Sequence, residues 1–494
     1  MNICIKNVSE NEIRADILIL PLFEEYSTDI YADLDLLVNG LVSTVINSKD
    51  FTGKHGQTML LPVKHINSSR LLLAGMGKRD QISQERIRQS GSKAFSAVRE
   101  LGAVDIAVST KLLRRLPEGN SFIQKPIFYF LEGGLLGMYR FEKYKTDGKL
   151  EKAKKEISSV TIIDDDKGFD ADGLLNIASA ACLARDLINT PANDLTPTAL
   201  AKLAVSMKGK GVKVKILERR DIEKEGMGAY LSVTKGSDEP LKFIVMEYSG
   251  GKGRPIVLIG KSVTFDSGGL DIKPGEGMER MKYDMAGGAV VLAVLKALAA
   301  MKLSVNVIGI LPAVENLIGG SASRPGDVVK TITGKTVEII STDAEGRLTL
   351  ADAIGYAIKY KKPKAVIDIA TLTGACSMAF GNEAIAMMGT DNELMERLKA
   401  ASEEVYERVW PMPLFDEYKE YLKSDIADIK NVGGRKGALA SSACFLREFV
   451  GETPWVHLDI AGAAWSDKDR PYAPKGATGV GVRLLLNFLK EISS

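Results

Sequence analysis

From residue 255 onward, short β-branched runs alternate with longer helical segments, a pattern few folds can accommodate. Residues 256–259 (IVLI) are followed by an apolar segment at 286–303. Then come 305–311, the pair 337–340 and 348–360, and the run 365–369. Strands that show no polar alternation are buried on both faces, and strands separated by helices build βαβ units. The fold class expected is therefore α/β, with a mostly parallel central sheet in a large C-terminal domain. Sheets of this kind bind ligands in the loops beyond the carboxyl ends of their strands. The residues just after 259, 340, 369 and 460 thus carry the most interest.

The 494 residues exceed one domain's usual length. The first 110 alternate apolar runs at 17–22 and 71–74 with polar stretches such as 81–88, which reads as a small α/β unit. Between 148 and 172 the composition turns to Lys, Glu and Asp around a strand at 160–163. An Ala- and Leu-rich helix follows at 174–187, stopping near Asn189 because Pro191 and Pro197 disfavour helix before them. The resulting division is an N-terminal α/β domain over 1–165 with an assembly role, a linking helix over 166–190, and a catalytic domain over 191–494.

Composition narrows the function classes. Hydrophobic residues make up 45% and charged residues 26%, the profile of a folded globular chain. The 65 basic against 63 acidic residues leave +2, so no global field draws the protein to nucleic acid or an anionic membrane. Cys4, Cys182, Cys376 and Cys444 form no CxxC and support neither a disulfide framework nor a thiolate zinc site. The N-terminus lacks a signal peptide's apolar region, and Lys296 and Lys302 interrupt the most apolar segment. A cytoplasmic protein with no membrane span is expected.

The loops carry the chemistry. GKSVTFDSGGLDIKP after residue 259 supplies Lys261, Asp266, Asp271 and Lys273, STDAEGRLTLADA after 340 supplies Asp343, Glu345 and Arg347, and Asp284 precedes the helix near 286. Asp266, Asp284, Asp343 and Glu345 would converge on one sheet edge, where their repulsion is expensive without cations. Oxygen ligands suit Mg²⁺, Mn²⁺ or Zn²⁺ in a two-metal cluster. With only His55, His65 and His457, no HExxH can be built. The other reading makes Asp284 and Asp343 helix caps and the remaining acids surface ion pairs. Competing motifs fail: the segments ending in Gly260-Lys261-Ser262 and Gly334-Lys335-Thr336 have Pro255 and Val329 where a P-loop needs glycine, and no GxSxG exists. His457, inside WVHLDI, reads as a core histidine. A dinuclear phosphoesterase and a binding module with a structural metal remain as alternatives.

GKSVTFDSGGLDIKP, MKYDMAGGA and STDAEGRLTLADA closely resemble signatures of the leucine aminopeptidase family of dinuclear metallopeptidases, as do ARDLINTPAN, DIATLTGA and LDIAGAAW. The resemblance covers roughly residues 170–490, with a weaker match in the N-terminal third. It implies a leucyl aminopeptidase that removes N-terminal Leu or Met from peptides through a metal-activated water. By resemblance, Lys261, Asp266, Asp284 and Glu345 bind one metal. Asp266, Asp343 and Glu345 bind the other, manganese or zinc with magnesium or cobalt as substitutes. Lys273 and Arg347 are the catalytic cations, Arg347 holding a bicarbonate. Met281, Thr371 and Gly374 line the pocket for the first side chain, and a free α-amine is selected beside Asp284. A homohexamer is implied, with peptide substrates and no membrane or nucleic-acid partner. Ser341 stands where the family has Asn and Ser262 where it has Gly, departures that touch no ligand.

Overall fold

A computed structural model describes residues 1–493 except 26–27, 117–124, 147–155, 165–167 and 210. The chain forms two compact units: Met1–Ala178 with Asp469–Pro474, and Ser179–Lys468 with Lys475–Ser494. The division falls inside the helix Ala171–Asn189. The expected junction at 165/166 lies outside the described residues.

The first unit carries a six-stranded sheet in the order Asn2–Lys6, Ser159–Ile163, Asp105–Ser109, Ile17–Phe23, Arg70–Gly77, Thr58–Pro62. All neighbours are parallel except the last pair. Ile17–Phe23, the apolar run that marked this unit in the sequence, is buried at every position. The helix Gln84–Glu100 starts where the Ser83 hydroxyl accepts from Arg86 N, the usual N-cap contact. Between this helix and Pro126–Gly137, Arg88 and Glu132 form an ion pair with both side chains buried.

The second unit is built on a nine-stranded sheet. Its order is Val409–Pro411, Ile385–Gly389, Trp455–Asp459, Ala365–Ala370, Ile256–Gly260, Asn306–Asn316, Lys242–Ser249, Val212–Leu217, with Ser262–Asp266 also paired to Asn306–Asn316. The central strands run parallel, and the antiparallel pairs lie toward the two sides. Ile256–Gly260 and Ala365–Ala370 are buried throughout, as their unbroken apolar runs require. The helix Ala286–Met301 is buried over most of its length and ends at Lys302, which adopts the left-handed conformation. The span Met278–Met301 has the length and apolarity to cross a membrane, but 78% of its most apolar window is covered by the fold itself.

One expected strand sits elsewhere. The run at 337–340 forms Thr336–Glu338, in a separate three-stranded sheet with Val328–Lys330 and Ile429–Lys430. Only Val337 of its three residues is buried, so this strand lacks the two apolar faces that the central sheet demands.

The two strands that lead to the loops at 371 and 460 are pinned by a polar pair. Asp368 and His457 lie directly opposite in the ladder, with His457 Nδ1 2.5 Å from Asp368 Oδ1 and Trp455 Nε1 donating to Asp368 Oδ2 at 2.6 Å. His457 is fully buried, a core histidine. Burial opposes its charge, but Asp368 and then Asp459 outweigh this and raise its pKa above the ordinary value. A raised histidine pKa contributes stability that is present below the unfolded value of about 6.5 and is lost as pH climbs through the folded value. The urea midpoint of the protein should therefore exceed that of His457→Gln most at about pH 6, with the gap closing toward about pH 9. A gap that stays constant or widens would show that His457 is not held charged.

Candidate metal centre

Each candidate residue reaches the carboxyl edge of the large sheet for a local reason. Ile256–Gly260 ends directly before Lys261, and Asp266 is the last residue of Ser262–Asp266. Asp284 follows the 3₁₀ turn Met278–Tyr283, and Glu345 opens the helix Glu345–Lys361. Asp343 lies in the loop before that helix and Arg347 in its first turn. Two glycines make room: Gly268 has φ +91°, and a Cβ on Gly346 would lie 2.4 Å from Lys261 Cε.

The structure brings these residues together. Lys261 Nζ donates to Asp284 Oδ1 at 2.8 Å and to the Thr371 carbonyl at 2.9 Å, and lies 2.8 Å from Glu345 Oε1. Thr371 Oγ1 donates to the same Asp284 oxygen. Lys273 Nζ is 2.8 Å from Asp266 Oδ2 and also pairs with Asp343. Ligand atoms of Asp266, Asp343 and Glu345 fall within 4.8 Å of one another, while Asp284 stands across Lys261 from Glu345. Lys261, Asp266, Asp284 and Glu345 are buried; Asp343 is the open member, its side chain 38% exposed. Met285 and Ala344, not Asp284 and Asp343, stand at the helix N-caps, and Asp266 and Glu345 are buried, so the cap-and-surface-pair reading does not hold.

Negative charge exceeds what the two lysines neutralise. Burial and then Glu345 push Asp266 up to about 6, and burial raises Asp284 well above the carboxylate range despite Lys261 beside it. Glu345 is held low against its burial by Lys261 and Lys273. Burial disfavours both ammonium groups, yet the surrounding acids raise both lysines. Asp284 Oδ2 and Glu345 Oε1, both buried, meet Lys261 Nζ at 2.8 Å and have no other partner among the described residues. Buried oxygens with unfilled lone pairs and raised acid pKa values suit divalent cations. Arg347 donates from Nη1 to the Asn431 carbonyl at 2.7 Å, and its Nε has no partner among the described residues. Burial pulls its guanidinium down to about 10, still charged in neutral water.

A ring of residues holds this set, of which the sequence singles out Asp271 alone. Asn316 Nδ2 donates to Asp266 Oδ1 and to the Thr342 carbonyl. Asp271 and Thr342 bond reciprocally, tying the 268–271 turn to the Asp343 loop. Asn431, fully buried, accepts from Ile340 N and Ser341 N and donates back to the Ser341 carbonyl. Asp459 accepts from Leu372 N and Thr373 Oγ1, fixing the segment whose Thr371 anchors Lys261 and Asp284. A polar residue closing the long apolar run up to Asn316 was a readable signal. The DIKNVGG stretch around Asn431 has no periodicity and gave none.

Of the expected pocket residues, Met281 lines a cleft of about 530 Å³ that also borders Lys273 and Asp343. Thr371 and Gly374 are outside its lining. Thr371 is occupied with Asp284 and Lys261, and Gly374 opens the helix Gly374–Phe380 with free space around its Cβ position.

The chain is similar to known proteins over nearly its whole length. Residues 182–486 match the catalytic domain of the cytosol aminopeptidase family, and residues 19–148 match its N-terminal domain. A probable cytosol aminopeptidase of Geobacter sp. (strain M21) is 44% identical over 482 residues, covering 96% of each chain. Its counterpart in Geotalea uraniireducens (strain Rf4) is 46% identical over 474 residues, 94% of each. Among solved structures, a tomato leucine aminopeptidase mutant superposes with a TM-score of 0.87 at 32% identity, covering 99% of this chain and 96% of that one. The bottromycin maturation enzyme BotP in complex with Mn gives 0.86 at 31%, covering 97% and 100%.

Residues that orient metal ligands typically change metal affinity about 10- to 100-fold when removed. Asn431→Ala should therefore weaken Mn²⁺ binding, measured by calorimetric titration, by roughly that factor, because the Asn431 side chain braces the Asp343 loop at Ile340 and Ser341. An affinity equal to the parent's would show that the loop holds its shape without it.

Proposed function

The chain belongs to the cytosol aminopeptidase family, and on that premise we propose that it is a metal-dependent leucyl aminopeptidase that releases N-terminal residues, Leu and Met preferred, from peptides. The observation that carries the reading is the grouping of Asp266, Asp343 and Glu345 within 4.8 Å beside the buried Lys261 and the half-buried Lys273. When bound, two divalent cations, Mn²⁺ or Zn²⁺ with Mg²⁺ or Co²⁺ as substitutes, would lower the pKa of a water so that hydroxide, the nucleophile for the peptide carbonyl, is available near neutral pH. Asp266, Asp343 and Glu345 would hold one cation, with Asp343 also offering its carbonyl. Lys261, Asp266, Asp284 and Glu345 would hold the other.

The chain's own groups divide the remaining work. For Lys261 the ligand role requires a neutral amine, so its proton must leave as a cation arrives; its hydrogen bond to the Thr371 carbonyl keeps Nζ in position meanwhile. Lys273 keeps its proton and meets the negative charge that grows on the substrate's carbonyl oxygen, the place where fixed charge helps most. The buried fork of Arg347, whose Nε has no partner among the described residues, suits a small planar oxyanion such as bicarbonate as proton carrier. A free α-amine enters beside Asp284, a place no internal peptide nitrogen can take. Met281, Thr371 and Gly374 receive the first side chain. The same reading includes a homohexamer in the cytoplasm, with the N-terminal domain serving assembly and no membrane or nucleic-acid partner.

Hydrolysis of leucinamide and N-acetyl-leucinamide, before and after chelation and Mn²⁺ return, tests the proposal. We expect turnover of the free amide alone, lost on chelation and recovered with Mn²⁺. Equal rates on both amides, or full activity in metal-stripped enzyme, would overturn it.

A further inference from the structure

Asp284 reaches the centre from a segment that is poorly held by its own bonds. The 3₁₀ turn Met278–Tyr283 has no buried residue, and the Asp284 N–H donates to the Met281 carbonyl at a long 3.3 Å. Turns of this type make weaker hydrogen bonds than an α-helix does. Ahead of the turn, a Cβ on Gly275 or Gly277 would meet nothing within 4 Å, so the chain is unpacked at those points. Arg280 pairs with Asp467 at 2.8 Å, but both side chains reach into solvent, where an ion pair contributes little.

Lys282 supplies an anchor from outside the turn. Its Nζ donates at 2.9 Å to the carbonyl of Asn189, the last residue of the helix Ala171–Asn189. Unpaired carbonyls and the negative end of the helix dipole favour a cation at that place. The asparagine extends the link, since its Oδ1 accepts from Ala477 N at 3.1 Å. A Cβ on Gly476 would lie 2.7 Å from the same oxygen, so this approach needs glycine. Ala477 stands opposite Trp465 in a two-stranded ladder. The Trp465 ring then returns to the turn, 5.8 Å from Lys282 Nζ and 6.1 Å, edge to face, from Tyr283. Lys282, Asn189, Ala477 and Trp465 thus close a circuit of contacts that begins and ends on the turn, and none of the four is a candidate ligand.

We infer that Lys282 is a positioning residue: by tying the turn Met278–Tyr283 to the end of the helix Ala171–Asn189, it sets where Asp284 stands beside Lys261. The inference rests on the two-cation reading above, in which Asp284 belongs to one ligand set and not to the other. Loosening the turn should therefore weaken one cation site and spare the site of Asp266, Asp343 and Glu345.

The test is calorimetric Mn²⁺ titration of the metal-stripped full chain as parent, Lys282→Met and Lys282→Arg, with folding checked by circular dichroism. Lys282→Met keeps an apolar stem and loses the donor, whereas Lys282→Arg still offers a charged donor to the helix end. One of two binding steps should weaken roughly 10- to 100-fold in Lys282→Met while the other keeps the parent's affinity, and Lys282→Arg should recover most of the loss. Unchanged affinity at both steps, an equal loss at both, or an arginine variant as weak as the methionine one would overturn the inference. A Lys282→Met chain that does not fold would overturn it too, by making the lysine a support of the whole fold. A parent that binds fewer than two Mn²⁺ would instead sink the two-cation reading itself.

Discussion

Four carboxylates, gathered where water is mostly excluded and faced by only two lysines, set the terms for the rest of the second unit. Asp266, Asp284 and Glu345 are buried, and their unequal response to Lys261, with Asp284 raised and Glu345 lowered, is what crowding does to acids that cannot all ionise together. A hydrophobic core would not tolerate such a group without compensation. The arrangement makes physical sense as a cradle whose missing positive charge comes from bound cations.

The scaffold is organised to hold that cradle still. Parallel central strands deliver Lys261 and Thr371 from adjacent positions in the sheet, and the staple of Asp368, Trp455 and His457 locks the neighbouring strand pair just below. Above it, buried amides and acids brace the loops: Asn316 on Asp266, Asn431 on the Asp343 loop, Asp459 on the 371–373 segment. The bracing groups spend their hydrogen bonds on loop backbone, on Thr373 Oγ1 and on the candidate ligand Asp266, so the side chains facing the centre have few alternative positions.

How much of this was readable in the sequence depended on periodicity. The central strands announced themselves because parallel strands covered on both faces must be continuously apolar, and residues 256–259 and 365–369 are. The rule that ligands lie beyond the carboxyl ends of such strands then pointed at the residues after 259 and 369, and the family resemblance named Thr371 among them. The Asp343 loop was reached by a partly mistaken route, since the run before it belongs to a small separate sheet. Asn431 and Asp459 stayed invisible because their work is done by hydrogen bonds across 86 to 91 positions in the chain, which no local pattern encodes. Likewise, the cleft walled by Trp465 and Tyr283 joins residues far apart in sequence, so its size and aromatic character emerged only from the fold.

The central claim is that this cluster binds two cations with Lys261 in the ligand set and Lys273 outside it. The most direct measurement is the Mn²⁺ content per chain, by elemental analysis, of the parent protein, Lys261→Ala and Lys273→Ala. The account predicts about two ions in the parent and in Lys273→Ala, and fewer in Lys261→Ala. A Lys273→Ala protein that loses metal while Lys261→Ala keeps both ions would contradict it.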